Sequence, residues 1–206
     1  VVTVNMAENH PDTRQNSWAC YAAKAIAETD DSVDYSSFDT DSNGILSVSE
    51  LQVIFLIAGG ESAYSLNTPG GVWAMASSLL CDANGDGVFS DESGEHGITL
   101  DNVRLLGLNS ATFGQNGYSQ FGELHGTAIN SWDATIGVMA HELGHAYFDL
   151  PDLYDTSNTS SGIGAFGLMG YGPWGQTTLN EKSGSTPVHF SAWAKEKLGV
   201  CTPQTV

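Results

Sequence analysis

Basic residues are scarce in this chain of 206 residues: six Lys and Arg stand against 24 Asp and Glu, a formal charge of −18 at pH 7. Phosphate binding needs lysine and arginine, so this balance excludes nucleic acid and anionic membranes as main partners. Long hydrophobic runs are also missing, none approaching the roughly 20 apolar residues that cross a bilayer. The start, Val1-Val2-Thr3-Val4-Asn5, has neither an initiator Met nor the apolar core of a signal peptide, as expected of a soluble, processed segment. Cysteine is limited to Cys20, Cys81 and Cys201, with no C-x-x-C pair, which argues against a zinc knuckle or a thioredoxin-like site. One disulfide plus a leftover thiol suits an exported protein. Spacing leaves the pairing open, and three buried thiols are the alternative.

What is present reads as one α+β domain spanning 1–206. Its 41% hydrophobic and 15% charged residues suit a globular chain. Trp18, Tyr21, Ala22, Ala25 and Ile26 recur at helical spacing and predict an amphipathic helix from Asn16 to Glu28. The β-branched run Val53 to Ile57 predicts a buried central strand ended by Gly59-Gly60. Between Gly70 and Leu80 neither period fits, and from Gly94 to Gly126 short strands and loops are expected. Asp133 can cap a helix carrying the apolar stripe Ile136, Ala140, Leu143 and Tyr147, which Pro151 ends at about Asp149. The glycine-rich stretch Gly162 to Gly175 suggests a tight turn plugged by buried Phe166, Leu168, Met169, Tyr171 and Trp174. Thr186 as cap and Pro187 at the first position open a last helix, closed by Gly199.

The chemistry concentrates in His141-Glu142-Leu143-Gly144-His145. Four helical residues turn through about 400° and rise about 6 Å, so both imidazoles project from one face and can share one zinc ion. Glu142, about 100° from His141, can take a proton from a metal-bound water and so serve as general base. Small Ala140, Gly144 and Ala146 flank the ligands. Two surface histidines on an ordinary helix are the bland alternative.

A catalytic zinc needs a third protein ligand and an open position. Asp149, Asp152 and Asp155 follow within reach. Asp152 is preferred, because the chain turned by Pro151 can swing its carboxylate back under the metal. Asp149 remains open as the alternative, one turn beyond His145 if the helix continues. Asp155 is expected to bind backbone in the next loop.

Two acidic loops offer oxygen ligands of another kind. Asp39, Asp41, Asn43, Ile45, Ser47 and Glu50 occupy positions 1, 3, 5, 7, 9 and 12 of a calcium loop, with Gly44 at the sixth. Asp82, Asn84, Asp86 and Val88 repeat the pattern, but Ser93 stands at position 12; Asp91, Glu92, Glu95 or water must complete that site. One or two structural calcium ions are therefore expected, with an Asx-turn-rich loop lacking metal as the alternative. Paired loops of this kind also occur in calcium-dependent binding or adhesion modules without catalysis, the main competing reading. A zinc hydrolase acting on a non-peptide amide is a third.

The segment from His141 to Asp155 resembles the immune inhibitor A group of secreted metallopeptidases, peptidase family M6, whose motif runs H-E-x-G-H-x-x-G-L-P-D-x-Y-D. Similar patches in the same order are Val33 to Asp41, Gly162 to Gly170 and Pro187 to Trp193. The resemblance implies a metzincin-like zincin catalytic domain: a twisted mixed sheet, an active-site helix and a methionine turn at Met169 beneath the zinc. It implies an upper lobe of about 1–147 carrying the calcium loops and a lower lobe of about 148–206. It also implies a secreted, monomeric enzyme acting on protein or peptide substrates. Tyr171 stands where some metzincins place a tyrosine that hydrogen-bonds the developing oxyanion; packing among the glycines is its alternative. His189 is expected to cap or pack the last helix. One departure concerns the third ligand: Phe148-Asp149 stands where the family has a single Gly, so Asp152 falls one residue late.

Overall fold

The computed structural model describes residues 1–7, 9–11, 18–64, 71–79, 81, 98–105, 117–127, 129–157, 159–202 and 204. Helix α1 spans Trp18–Ala27 and turns Trp18, Ala22, Ala25 and Ile26 inward, the face expected from their spacing. Cys20 on this helix is disulfide-bonded to Cys81, leaving Cys201 exposed as the free thiol. This resolves the pairing that spacing left open, and it excludes three buried thiols.

Two mixed sheets follow. In the smaller, β1 (Ile45–Leu46) runs parallel to β5 (Val103–Leu105), which pairs antiparallel with β4 (Ile98–Leu100). The larger is built around β6 (Tyr118–Thr127). Strand β2 (Val53–Gly60) lies parallel along one edge, and β3 (Met75–Ser77) and β7 (Asn130–Asp133) pair antiparallel with β6. Leu124 pairs with both Gly60 and Asp133, so β7 occupies the edge of β6 opposite β2. Helix α1, Tyr35, Leu46, Leu79, Val103, Leu105 and Tyr118 form one apolar core. A smaller cluster of Ala74, Phe121 and Val138 joins the larger sheet to helix α2 (Ile136–Ala146). A third, Leu150, Met169 and Ala194, packs the segment after α2 against helix α3 (Ala192–Lys197).

Several local expectations are corrected. Strand β2 is not a buried central strand: among the described residues it pairs only with β6, and Ile54 and Leu56 are exposed on one face. The apolar run reflects one face packed through Val53 and Phe55, not burial on both. Asp133 ends β7 and does not cap α2; Thr135 is the N-cap residue. That helix stops at Ala146, short of Asp149. In the glycine-rich stretch Leu168 and Met169 are the buried plugs, whereas Phe166 and Tyr171 are exposed. Ser191, not Thr186, caps α3, its side chain accepting from Ala194 N–H at 3.2 Å. Pro187 stands outside that helix, and Gly199 closes it with φ +67°. His189 is exposed and does not cap; its carbonyl accepts from Leu168 N–H at 3.1 Å.

The Cys20–Cys81 bond closes a loop of 61 residues, for which chain entropy gives about 4 kcal/mol of stabilisation. A Cys20→Ser/Cys81→Ser variant is expected to melt well below the parent in thermal unfolding, whereas Cys201→Ser melts with it.

Candidate metal centre

Helix α2 buries its His141, Glu142 and His145 face instead of its large apolar side chains. His141, Glu142 and His145 lie 6 to 8% exposed, whereas Ile136 and Tyr147 of the expected stripe are 55% and 47% exposed. The reason is what packs there. A Cβ at Gly144 would collide with Sδ of Met169, so glycine lets the buried Met169 lie directly against the helix. Phe121 of β6 and Ala74, just before β3, pack against Val138, one turn before Glu142.

Each histidine is anchored by its Nδ1. His141 Nδ1 lies 2.8 Å from Leu168 O, and His145 Nδ1 lies 2.5 Å from Leu150 O. A carbonyl can only accept, so both rings carry their proton on Nδ1 and turn Nε2 towards a common point, the arrangement that orients metal-ligating imidazoles. The two Nε2 atoms are 3.1 Å apart, and Asp152 Oδ1 is 3.1 Å from each. Ligands about 2.1 Å from one zinc ion, with near-tetrahedral angles, sit about 3.4 Å from one another. Two nitrogen lone pairs and a carboxylate oxygen crowded into such a triangle repel unless a cation or protons lie between them. The donor set of two imidazoles and one carboxylate therefore fits zinc and leaves a fourth position open.

The electrostatics follow from this crowding. Burial opposes ionisation of Asp152, but its Oδ1 contacts with the two Nε2 atoms, which a proton or a cation must bridge, hold its carboxyl well below the usual range. Burial would lower His141, yet Asp152 and Glu142 together raise it. For Glu142, burial dominates and pushes the carboxyl up to about 7, with His141 and His145 partly offsetting it.

The structure brings Asp152, not Asp149, to the histidine pair. The extra residue before Leu150 is absorbed at the helix end. Asp149 adopts φ +51°, the left-handed conformation a glycine takes more easily. Its N–H bonds His145 O at 3.0 Å, and Leu150 N–H reaches Gly144 O at 3.1 Å. That closure is one residue wider than the usual glycine-ended helix. Lys197 Nζ donates to Asp149 O at 3.0 Å, holding the turn from outside. Asp155 accepts from the N–H groups of Ser157, Thr159 and Ser160 at 2.7 to 2.9 Å and stands apart from the triangle.

Tyr154 belongs to the centre although its spacing gave it no role. It hydrogen-bonds Asp152, and its ring stacks between His141 at 6.3 Å and Tyr171 at 5.8 Å. Burial first, then the charge of Asp152, raises its phenol. Its position two residues after a candidate ligand was the available signal. The carbonyls of Leu150 and Leu168 leave no signal in sequence, because every residue has one.

The first acidic loop brings Asp39, Asp41 and Glu50 together, each with a carboxylate oxygen within 4.8 Å of the others. Asp39 accepts from Asn43 N–H and Gly44 N–H, and Asn43 Oδ1 accepts from Ile45 N–H at 2.7 Å. Glu50 closes the loop by accepting from Thr40 N–H and Ser47 N–H at 3.0 Å each, and Ser47 Oγ bonds it at 2.9 Å. The second loop, Asp82, Asn84, Asp86, Val88 and Asp91, lies outside the described residues.

Residues 115–201 match the family model described as the immune inhibitor A peptidase M6 catalytic domain. The matched stretch runs from before β6 through α2, the triangle of His141, His145 and Asp152, and α3. No curated protein and no solved structure matches the chain.

If the triangle holds one ion, alanine at His141, His145 or Asp152 should each lower bound zinc, measured by metal analysis of the purified protein, at least tenfold in affinity. Asp149→Ala should retain the ion. Zinc kept by Asp152→Ala and lost by Asp149→Ala would overturn the ligand set.

Proposed function

From the M6 peptidase match over residues 115–201, we propose that this chain is a secreted zinc endopeptidase, with His141, His145 and Asp152 as ligands and Glu142 as general base. The observation that carries the reading is the triangle of two Nε2 atoms and Asp152 Oδ1 with 3.1 Å edges, with buried Glu142 on the same helix. Bound zinc supplies a Lewis acid there and draws the pKa of water down to about 7.

The remaining steps belong to the chain. Glu142, pushed up to about 7 by burial, is matched to proton transfer near neutral pH. It takes a proton from the attacking water as the water oxygen bonds the peptide carbonyl carbon. It returns that proton to the amide nitrogen as the C–N bond breaks, leaving a carboxylic acid and an amine. Tyr171 is 42% exposed and stacked on Tyr154, so its phenol is available to donate to the oxyanion that develops on the carbonyl oxygen. Met169, 1% exposed and set against Gly144, is the floor residue of a methionine turn in a metzincin-like fold. The substrate then lies between an upper lobe of about 1–147 and a lower lobe of about 148–206.

Calcium at Asp39, Asp41, Asn43, Ile45, Ser47 and Glu50 is the second part of the reading, supported by the loop pattern and the convergence of three carboxylates; a second ion at Asp82 to Asp91 rests on sequence alone. The Cys20–Cys81 bond suits an oxidising, extracellular setting. A net charge of −18 disfavours nucleic acid. No helix among the described residues is long and apolar enough to cross a membrane. A monomer acting on protein or peptide substrates completes the proposal.

Unfolded casein provides the assay. Glu142→Ala is expected to keep its zinc and lose at least a thousandfold in cleavage rate; wild-type protein that is zinc-free and inert would favour the adhesion-module reading instead. For calcium, a chelator too weak to strip zinc should lower the melting temperature of the parent but not of Asp41→Ala/Glu50→Gln. An unchanged parent melting curve would remove calcium from the account.

A further inference from the structure

The buried carboxylate of Glu61 has no place in the chemistry described so far. It is 1% exposed, as deep as any polar side chain among the described residues save Ser119 and Gln120 of β6. Three backbone N–H groups converge on it: Ala63 at 2.8 Å, Ala74 at 3.1 Å and Gly122 at 2.8 Å. These belong to three separate stretches, the chain leaving β2, the chain entering β3, and β6. These backbone dipoles favour its charged form, although burial outweighs them and raises its carboxyl.

Its location explains why a carboxylate is needed. The register of β2 against β6 shifts between Ile57 and Gly60, which interrupts the ladder where β2 ends. Beyond the shift, Glu61 N–H bonds Leu124 O at 2.7 Å and Ser62 N–H bonds Val72 O at 2.7 Å. The residues leaving β2 are thus wedged between β6 and the segment entering β3. Gly122 permits the wedge, since a Cβ there would stand 2.8 Å from Glu61 N. The N–H groups of Ala63, Ala74 and Gly122 would otherwise be orphaned in a buried place, at a cost of about 1–3 kcal/mol each. Two oxygens with about four lone-pair sites can accept all three; no neutral side chain of this size does so as well.

What the hub holds adjoins the metal centre. Ala74 is buried against Phe121 and Val138, and Ala63 packs on the same cluster with Met139. Val138 lies one turn before Glu142, and Glu61 is close enough to Glu142 for its charge to be felt there. Strand β3, which follows Ala74, contacts both α2 and β6 and among the described residues pairs only with β6. We propose that Glu61 is a positioning residue for the substrate: its carboxylate ties the stretches through Ala63 and Ala74 to β6 and so sets the rim above α2 against which an extended peptide lies. The role rests on the peptidase reading, but the hydrogen-bond hub does not.

The test separates rim placement from folding. Glu61→Gln keeps the side chain's size while removing its charge and one acceptor oxygen. Against an extended peptide its KM should rise at least tenfold, with kcat changed less than threefold and zinc content unchanged. Against a dipeptide-sized substrate spanning only the scissile bond, KM should stay within threefold of the parent. A merely structural role would instead lower kcat for both substrates in proportion to the folded fraction and leave KM alone; that result, or no change at all, overturns the proposal. If Glu61→Gln does not fold, hydrogen exchange in the parent decides. The amides of Ala63 and Ala74, outside regular strand pairing, should exchange slowly and slow further when a non-cleaved extended peptide binds; rapid exchange, or no response to the peptide, counts against the role. Wild-type protein that cleaves nothing sinks the peptidase reading and the rim assignment together, while the protection measured without peptide still reports on the hub.

Discussion

Everything at the candidate centre depends on two hydrogen bonds that involve no catalytic atom: His141 Nδ1 to Leu168 O and His145 Nδ1 to Leu150 O. They settle which nitrogen of each ring faces the common point. Without them either ring could present an N–H to the common point, and ligation would require a tautomer change at each visit of the ion. The two carbonyls come from different places, one from the turn that ends α2 and one from the glycine-rich stretch. The tautomers of the ligands are therefore a property of how the chain after the helix folds back, not of the helix alone.

That fold-back must deliver two things at once, the Leu150 carbonyl to His145 and the Asp152 carboxylate to both Nε2 atoms. An extra residue in so short a connection would ordinarily rotate the one out of place when the other was satisfied. Placing Asp149 at φ +51° absorbs it, because a left-handed residue reverses the chain without lengthening the path to Leu150. Leucine 150 is fully buried with Met169 and Ala194, and this apolar contact opposes the strain of a non-glycine residue in that region, of order 1 kcal/mol. The Lys197 contact to Asp149 O adds a tether from α3.

Legibility in the sequence tracked how local each determinant was. The face of α1 could be read because spacing alone sets it. The His-Glu-Leu-Gly-His spacing placed both imidazoles on one side of α2 before any tertiary contact was known. The same helix defeated the apolar-stripe expectation, since its buried side is defined by Gly137 and Gly144 admitting Pro173 and Met169 and by His141, Glu142 and His145, while Ile136 and Tyr147 face outward. Strand β2 misled for a related reason: a run of β-branched residues fixes the strand but not how many of its faces are covered. Caps failed at α2 and α3 because several residues with capping side chains lie close together, and only the path of the preceding chain selects among them. The competition between Asp149 and Asp152 turned on a single backbone dihedral, and Glu61 on three donors far apart in sequence; neither has a local signature.

The distribution of buried charge makes a final point about why these parts occur together. Asp152 and Glu142 lie beside two imidazoles, with Glu61 further back. Were all three carboxylates to look to one divalent ion for compensation, the ion would be over-neutralised and its Lewis acidity weakened. Glu61 avoids this by drawing its compensation from the N–H groups of Ala63, Ala74 and Gly122. On the proposed reading, Asp152 is then left to the metal and Glu142 to the proton. The sheet end that anchors Glu61 thus serves the centre twice, as the rim over α2 and as the place where one negative charge is taken out of competition for the ion.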